Sequence, residues 1–204
     1  MEHFYQEIDG WFCFKKQYEK IFSLLPNEAV WVEVGSYCGR SIAWLLVEME
    51  NNNKNFTVYA VDNWQGNDLE QFYIDKKNID PLFFENFYEK FKNNLSRFEG
   101  KFTPIKMLSW DAANQFQDES IDYVMIDAGH DYESVKKDIA AWWPKIKKGG
   151  YMGGDDYAVR NPQDGVFLAV NEFVSKNSFH LNLLDNYKKT GNISKKNKNW
   201  LIRK

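Results

Sequence analysis

Cysteine is scarce in this chain. Cys13 and Cys38 are the only two among 204 residues, so no disulfide framework staples the fold. They do not cluster with His3, His130 and His180, which removes any zinc-site spacing. Long apolar runs are missing too. No stretch approaches the ~20 residues that cross a bilayer as a helix. Neither sign of charge dominates: 26 Lys and Arg stand against 29 Asp and Glu, a formal net charge of -3. No basic stripe offers itself to a nucleic-acid backbone, and the Lys-rich segments 145–148 and 188–198 read as solvated loops or helix ends. The first residues lack a secretory pattern. Nothing marks an internal repeat, a low-complexity segment or a domain linker. These absences predict a cytoplasmic chain whose partner is a small molecule, with no nucleic acid and no membrane. They leave the oligomeric state open, homo-oligomers included.

Aromatic residues are abundant instead, at 17% of the chain. That is enough to fill a core and still leave partners for a stacking ligand. The length fits one domain, residues 1–204, burying about 70% of its unfolded surface. An apolar run over 30–34 carries Glu33 and is followed at once by Gly35, Ser36, Tyr37, Cys38 and Gly39. A helical pattern then begins, with Ile42, Leu45, Leu46 and Met49 on one face. Strand, Gly-rich turn and helix is how an α/β fold presents backbone amides to a ligand at the carboxyl edge of its sheet. The spacing is Glu-x-Gly-x-x-x-Gly, not the G-x-G-x-x-G of dinucleotide sites. A carboxylate two residues before the first glycine is a poor neighbour for a pyrophosphate and a good one for a cation. The pocket therefore reads as one for a nucleoside with a positively charged tail, the alternative being a tight turn with no ligand. The next apolar run, 57–61, ends in Asp62, placed to accept hydrogen bonds from a ribose diol. Trp64, just beyond it, either shields the nucleoside or anchors the loop.

Residues 1–29 hold a helical pattern in Tyr18, Ile21, Phe22 and Leu25, stopped by Pro26. They read as a helix packed on the sheet or, with Trp11 and Phe12, as a lid over the ligand site. Phe83, Phe84, Phe87, Phe91, Leu95 and Phe98 predict an amphipathic helix over 82–98. Residues 63–98 thus combine an insertion with a helix, and 65–81 is a candidate lid or acceptor-binding segment. A strand over 102–108 carries Pro104 and so belongs near an edge. Ser109, Trp110 and Asp111 follow, Asp111 either accepting from an adenine amino group or capping a short helix over 112–116. A strand over 121–127 ends in Asp127. His130, Asp131 and Glu133 then lead into a helix with Val135, Ile139 and Trp142 inward, where Asp131 and Glu133 favour the helix dipole. A short strand over 151–154, a helix over 162–176 and two strands over 179–184 and 199–202 complete the chain. Repeated β-α units and a closing hairpin predict a mainly parallel sheet with helices on both faces.

Carboxylates end these strands: Asp62, Asp111 two residues on, Asp127, and the pair Asp155–Asp156. In a parallel sheet they converge on one edge, and surplus acid in a cleft asks for a cation. A sulfonium ligand suits the first two strands. Asp127, Asp155 and Asp156 supply hard oxygens for Mg²⁺ or a similar divalent ion, the alternative being that the two last acids merely cap a loop. His130 has the intrinsic pKa of a base near neutrality, or else bonds to backbone in the first helical turn.

Several motifs stand in one order: Glu33–Val34–Gly35–Ser36–Tyr37–Cys38–Gly39–Arg40–Ser41; Asp62–Asn63–Trp64; Asp127–Ala128–Gly129–His130–Asp131–Tyr132; and Gly149–Gly150–Tyr151–Met152–Gly153–Gly154–Asp155–Asp156–Tyr157. Together they resemble the class I S-adenosylmethionine-dependent methyltransferases, in the small methyltransferase-domain family similar to catechol- and sugar-modifying O-methyltransferases. The resemblance covers about residues 8–204. It implies a Rossmann-like seven-stranded sheet of order 3-2-1-4-5-7-6 with strand 7 antiparallel, and S-adenosyl-L-methionine as methyl donor. By position it implies Glu33, Gly35, Ser36, Gly39 and Ser41 at the methionine end. It likewise implies Asp62, Asn63 and Trp64 at the ribose, Ser109, Trp110 and Asp111 at the adenine, and Asp127 beside the donor. Mg²⁺ on Asp127, Asp155 and Asp156, with His130 and Asp127 as the catalytic pair, follows from the metal-using relatives. The loop after Asp127 departs from theirs. The expected activity is O-methylation of a small hydroxylated acceptor, a sugar or glycoconjugate. The rivals are a non-catalytic nucleoside-binding module of the same fold and a dinucleotide-dependent oxidoreductase, which the missing third glycine disfavours.

Overall fold

The apolar run ahead of the Gly-rich turn is a strand, β1 (Val30–Val34), and the periodic stretch after it is a helix, α2 (Arg40–Asn51). A computed structural model describes residues 1–65, 86–158, 161, 163–187 and 193–204, with backbone alone for 187 and 193–197. The other strands are β2 (Thr57–Asp62), β3 (Thr103–Lys106), β4 (Ile121–Ile126), β5 (Ile146–Ala158), β6 (Leu181–Tyr187) and β7 (Ile193–Arg203). They form one sheet in the order β3-β2-β1-β4-β5-β7-β6, as expected. The first five neighbours pair parallel, and β7 runs antiparallel between β5 and β6. Every residue of β4 is buried, as a central parallel strand covered on both faces requires.

Alternation along the strands sorts side chains into two cores. Trp31, Tyr123 and Met125 meet α1 (Lys15–Leu24), α2 and α3 (Phe87–Asn94) through Tyr18, Ile21, Ile42, Leu45 and Phe91. Val32, Val34, Val124 and Ile126 meet α5 (Tyr132–Trp142) and α6 (Gly165–Asn177) through Val135, Ile139, Val166 and Val170. A single helical turn, α4 (Ser109–Ala112), continues as a 3-10 turn through Gln115.

Several boundaries differ from the sequence expectation. The helix predicted over 82–98 is α3 followed by a 3-10 turn at Ser96–Phe98, with Asn86 left-handed at its start. Residues 66–85, which hold most of the candidate acceptor-binding segment, lie outside the described residues. The short strand expected at 151–154 begins at Ile146, so Gly149 and Gly150 are inside β5. Gly150 fits there because a Cβ would come within 2.9 Å of Asp122 O. Asp111 sits inside α4 and does not cap it; Leu108 holds the cap position. Asp131 does cap α5, accepting from Ser134 N at 3.0 Å. The lid expected of Trp11 and Phe12 divides. Phe12 packs into the core against Phe14, Tyr18 and Trp44, whereas Trp11 is 69% exposed beside Tyr37.

Candidate active site

Glu33 is the least ordinary residue of β1. It points into the aromatic core with no solvent exposure. Tyr18 of α1 donates its hydroxyl to Glu33 Oε2, and Oε1 is buried without a partner. Burial pushes the carboxyl up to about 7, with the hydroxyls of Tyr18, Ser41 and Ser36 pulling it back. An orphaned carboxylate oxygen under a Gly-rich turn fits a ligand that brings a cationic N–H. The turn itself is tightly built. Gly35 has φ +92, and a Cβ there would lie 2.0 Å from Asp127 O, so β1 and β4 end closer together than any side chain permits. Gly35 N donates to Val61 O and Asp127 N to Val34 O, each at 2.8 Å. Ser36 and Ser41 are buried beneath the turn, and Gly39 starts α2 in the left-handed region.

Asp62 at the end of β2 organises the next loop. Its Oδ2 accepts from Tyr37 N at 2.9 Å and its Oδ1 from Trp64 N at 2.7 Å. Burial raises its pKa, against the pull of those backbone donors. Asn63 Oδ1 accepts from Gln65 N. Trp64 takes the anchor role: it is 6% exposed, its indole N–H donates to Tyr37 O at 2.7 Å, and its ring packs on Tyr88 and Phe91. It is not a platform open to a nucleoside. The adenine candidates follow β3. Ser109 Oγ accepts from Trp142 Nε1 at 2.9 Å, tying α4 to α5. Trp110 is half-buried under Lys137, and Asp111 is exposed.

The third group gathers at β4 and β5. His130 Nε2 stands 3.6 Å from Asp127 Oδ1 and 3.5 Å from Asp156 Oδ2. The carboxylate of Asp127, with the charges of Asp156 and Asp155, pushes the imidazole up to about 9 despite burial. Asp127 is pushed up to about 6 by burial, with His130 opposing. Asp127, His130 and Asp156 each offer one ligand atom within 4.8 Å of the others. Two carboxylates and an imidazole nitrogen that has no hydrogen-bond partner are a donor set that fits a divalent cation. The sequence placed Asp155 in this trio, and here the arrangement differs. Asp155 is buried, and its Oδ1 accepts from Asn186 and Asn199. Burial first, then the charges of Asp127 and Asp156, raise its pKa, so it borders the group rather than standing apart.

The N-terminal segment lies against the same edge. Burial and the charges of Asp155, Asp127 and Asp156 push the Cys13 thiol up to about 12. Arg40 at the start of α2 donates to Ile8 O and Gly10 O at 3.2 and 2.9 Å, holding the segment down. Sequence periodicity took Tyr18 for a core residue only and passed over Gln17, Asn186 and Asn199. A polar residue on the buried face of a helix was the one available signal for Gln17, which is fully buried and donates to Tyr123 Oη at 2.8 Å.

Residues 32–157 match the family described as Methyltransferase domain. The chain belongs to that family, within the class I S-adenosylmethionine-dependent methyltransferases. Two curated relatives are themselves uncharacterized: y4gI of Sinorhizobium fredii is 26% identical over 147 residues, and R132 of Acanthamoeba polyphaga mimivirus 29% over 133. The matches cover 72% and 59% of this chain but 15% and 60% of those relatives, so the chain spans only part of their length. Among solved structures, the O-methyltransferase NovP superposes with a TM-score of 0.61 at 18% identity, over 93% of this chain and 80% of NovP. The SAH complex of SMU.1697c from Streptococcus mutans gives 0.61 at 14%, over 95% and 98%. At such identities these likenesses show the fold. The matched residues include Glu33–Gly39, Asp62 and Asp127, at or next to the ends of β1, β2 and β4. Among the described residues no helix is long and apolar enough to cross a membrane.

Proposed function

We propose that this methyltransferase moves the methyl group of S-adenosylmethionine onto a hydroxyl of a small acceptor, a sugar or glycoconjugate. The observation that carries the reading is His130, held between Asp127 and Asp156 at the edge where the Gly-rich turn ends β1. A nitrogen base beside acids, next to a cradle for a cation, is what transfer to oxygen needs. Glu33 and the turn 35–39 would hold the methionine end of the donor, and Asp62 the ribose. The sugar class rests on the resemblance of the motifs to sugar-modifying enzymes.

The reaction forms an O–CH₃ bond and breaks the S–CH₃ bond. The sulfonium becomes a thioether, and the acceptor hydroxyl loses its proton. His130 Nε2 is the group placed to take that proton. The surrounding carboxylates, Asp127 first, raise its pKa to about 9 and so favour its protonated form. With their charge balanced by a bound cation, Asp127, Asp155 and Asp156 would raise the imidazole pKa less, and Nε2 could then accept the proton. Asp127 and Asp156 are the residues that would hold Mg²⁺, with Asp155 bordering them and His130 left as the base. When bound, the ion would supply electrophilic stabilisation of charge developing on the acceptor oxygen. The chain's own share is to orient the two substrates and exclude water.

Incubation with methyl-labelled donor and a panel of sugars, glycosides and catechols tests the reading, with and without chelator. Label is expected on a hydroxylated acceptor, lost on His130→Ala and reduced at least tenfold in EDTA. Label on no acceptor, with S-adenosylhomocysteine still bound, would favour the non-catalytic module. Full activity in EDTA would remove the metal.

A further inference from the structure

Asp155 and Asp156 are consecutive, and in a regular strand their side chains would point to opposite faces. They do not follow that rule. The pairing of β5 with β7 shifts between Gly154↔Trp200 and Tyr157↔Lys198, so two residues of β5 face one residue of β7. That is a β-bulge, a device found beside active sites because it re-aims side chains. Asp156 sits in the left-handed region with φ +53, which turns its carboxylate to His130. The single residue opposite the bulge is Asn199. It is fully buried and donates Nδ2 to Asp155 Oδ1 at 2.7 Å. Asn186 of β6 is 4% exposed and donates to the same oxygen at 2.5 Å.

Two amide donors on one carboxylate oxygen fix the rotation of the carboxyl group, so the remaining oxygen has a set direction. The arrangement is not what stability alone selects. Asn199 Oδ1 is left buried without a partner, and an unsatisfied buried acceptor costs about 1–3 kcal/mol. The apolar neighbours Trp200 and Leu201 show that this part of β7 accepts large aliphatic and aromatic side chains.

We propose that Asn186 and Asn199 are positioning residues, which pin Asp155 through Oδ1 and so hold the bulge that turns Asp156 toward Asp127 and His130 as a cation ligand. This rests on the metal reading above. Partners that orient a metal ligand carry roughly 10–100-fold in metal affinity when removed.

The test is a titration of the full chain with Mn²⁺ alone, read by the electron paramagnetic resonance of the free ion, for the wild type, Asn186→Ala and Asn199→Leu. S-adenosylhomocysteine affinity by calorimetry, without metal, serves as the control for an intact fold. Each variant should bind Mn²⁺ at least tenfold more weakly and keep the nucleoside affinity within twofold. Should Asn199→Leu fail to fold, Asn186→Ala carries the test, since its side chain lies near the end of the hairpin. Mn²⁺ affinity within twofold of wild type in the folded variants would overturn the positioning role and leave the metal reading standing. A wild type that binds no Mn²⁺ would overturn both.

Discussion

With Asp127 Oδ1 and Asp156 Oδ2 3.6 and 3.5 Å from its Nε2, the His130 imidazole is paired with more negative charge than it can neutralise. Its pKa is pushed up to about 9. A raised folded-state value means that the pairing stabilises the fold below the ordinary imidazole pKa of about 6.5. That stabilisation is lost as pH rises through about 9. In metal-free protein the His130 ring proton resonance should therefore titrate near the upper value. Asp156→Asn removes one neighbouring charge and should bring the midpoint down, with a shallower fall in unfolding temperature between neutral and alkaline pH. Nuclear magnetic resonance titration of the two proteins measures this. A wild-type midpoint near the unperturbed value, or one that Asp156→Asn does not move, would contradict the electrostatic account. The identity of these groups was readable from the chain, because Asp and His at strand ends stand out against apolar runs. Their partners were not. Asp155 was expected beside Asp127, and it is His130 that completes the close trio, since nothing in a one-dimensional pattern announces a bulge.

The turn between β1 and α2 has little tolerance. Gly35 combines φ +92 with a Cβ position only 2.0 Å from the carbonyl oxygen of Asp127. Gly35→Ala must strain the backbone and push β1 and β4 apart. A loss of about 3 kcal/mol or more is expected, together with at least a tenfold loss of S-adenosylhomocysteine affinity. Urea unfolding and calorimetry read the two effects. A variant as stable as wild type with normal affinity would show that the close approach is unimportant. This element was legible because glycine spacing and the strand–helix change of period coincide. Other elements were less so. The expected helix over 82–98 counted aromatic residues at helical spacing, but the chain breaks the run at Leu95 and continues as a 3-10 turn. The terminal hairpin was read as two short strands, because β7 alternates lysine and asparagine where its backbone still pairs. Tyr18 looked like one more apolar helix position, and its bond to Glu33 joins residues from separate elements.

Across the molecule, a formal charge of only -3 conceals a strongly polarised edge. Glu33, Asp62, Asp127, Asp155 and Asp156 all lie at or close to the carboxyl ends of β1, β2, β4 and β5. Parallel pairing enforces that convergence, and the two apolar cores on either face of the sheet make it rigid. Strand order came from the resemblance of the motifs to a known family rather than from periodicity, which fixes strands without ordering them. Residues 66–85, which include most of the candidate acceptor-binding segment, lie outside the described residues. The central claim is that the acidic edge holds the nucleoside donor, and calorimetric titration with S-adenosylhomocysteine tests it most directly. The wild type should bind one equivalent, and Asp62→Ala should bind at least tenfold more weakly, because Asp62 fixes both Tyr37 and Trp64. A wild type that gives no binding heat, or an Asp62→Ala variant with unchanged affinity, would contradict the account.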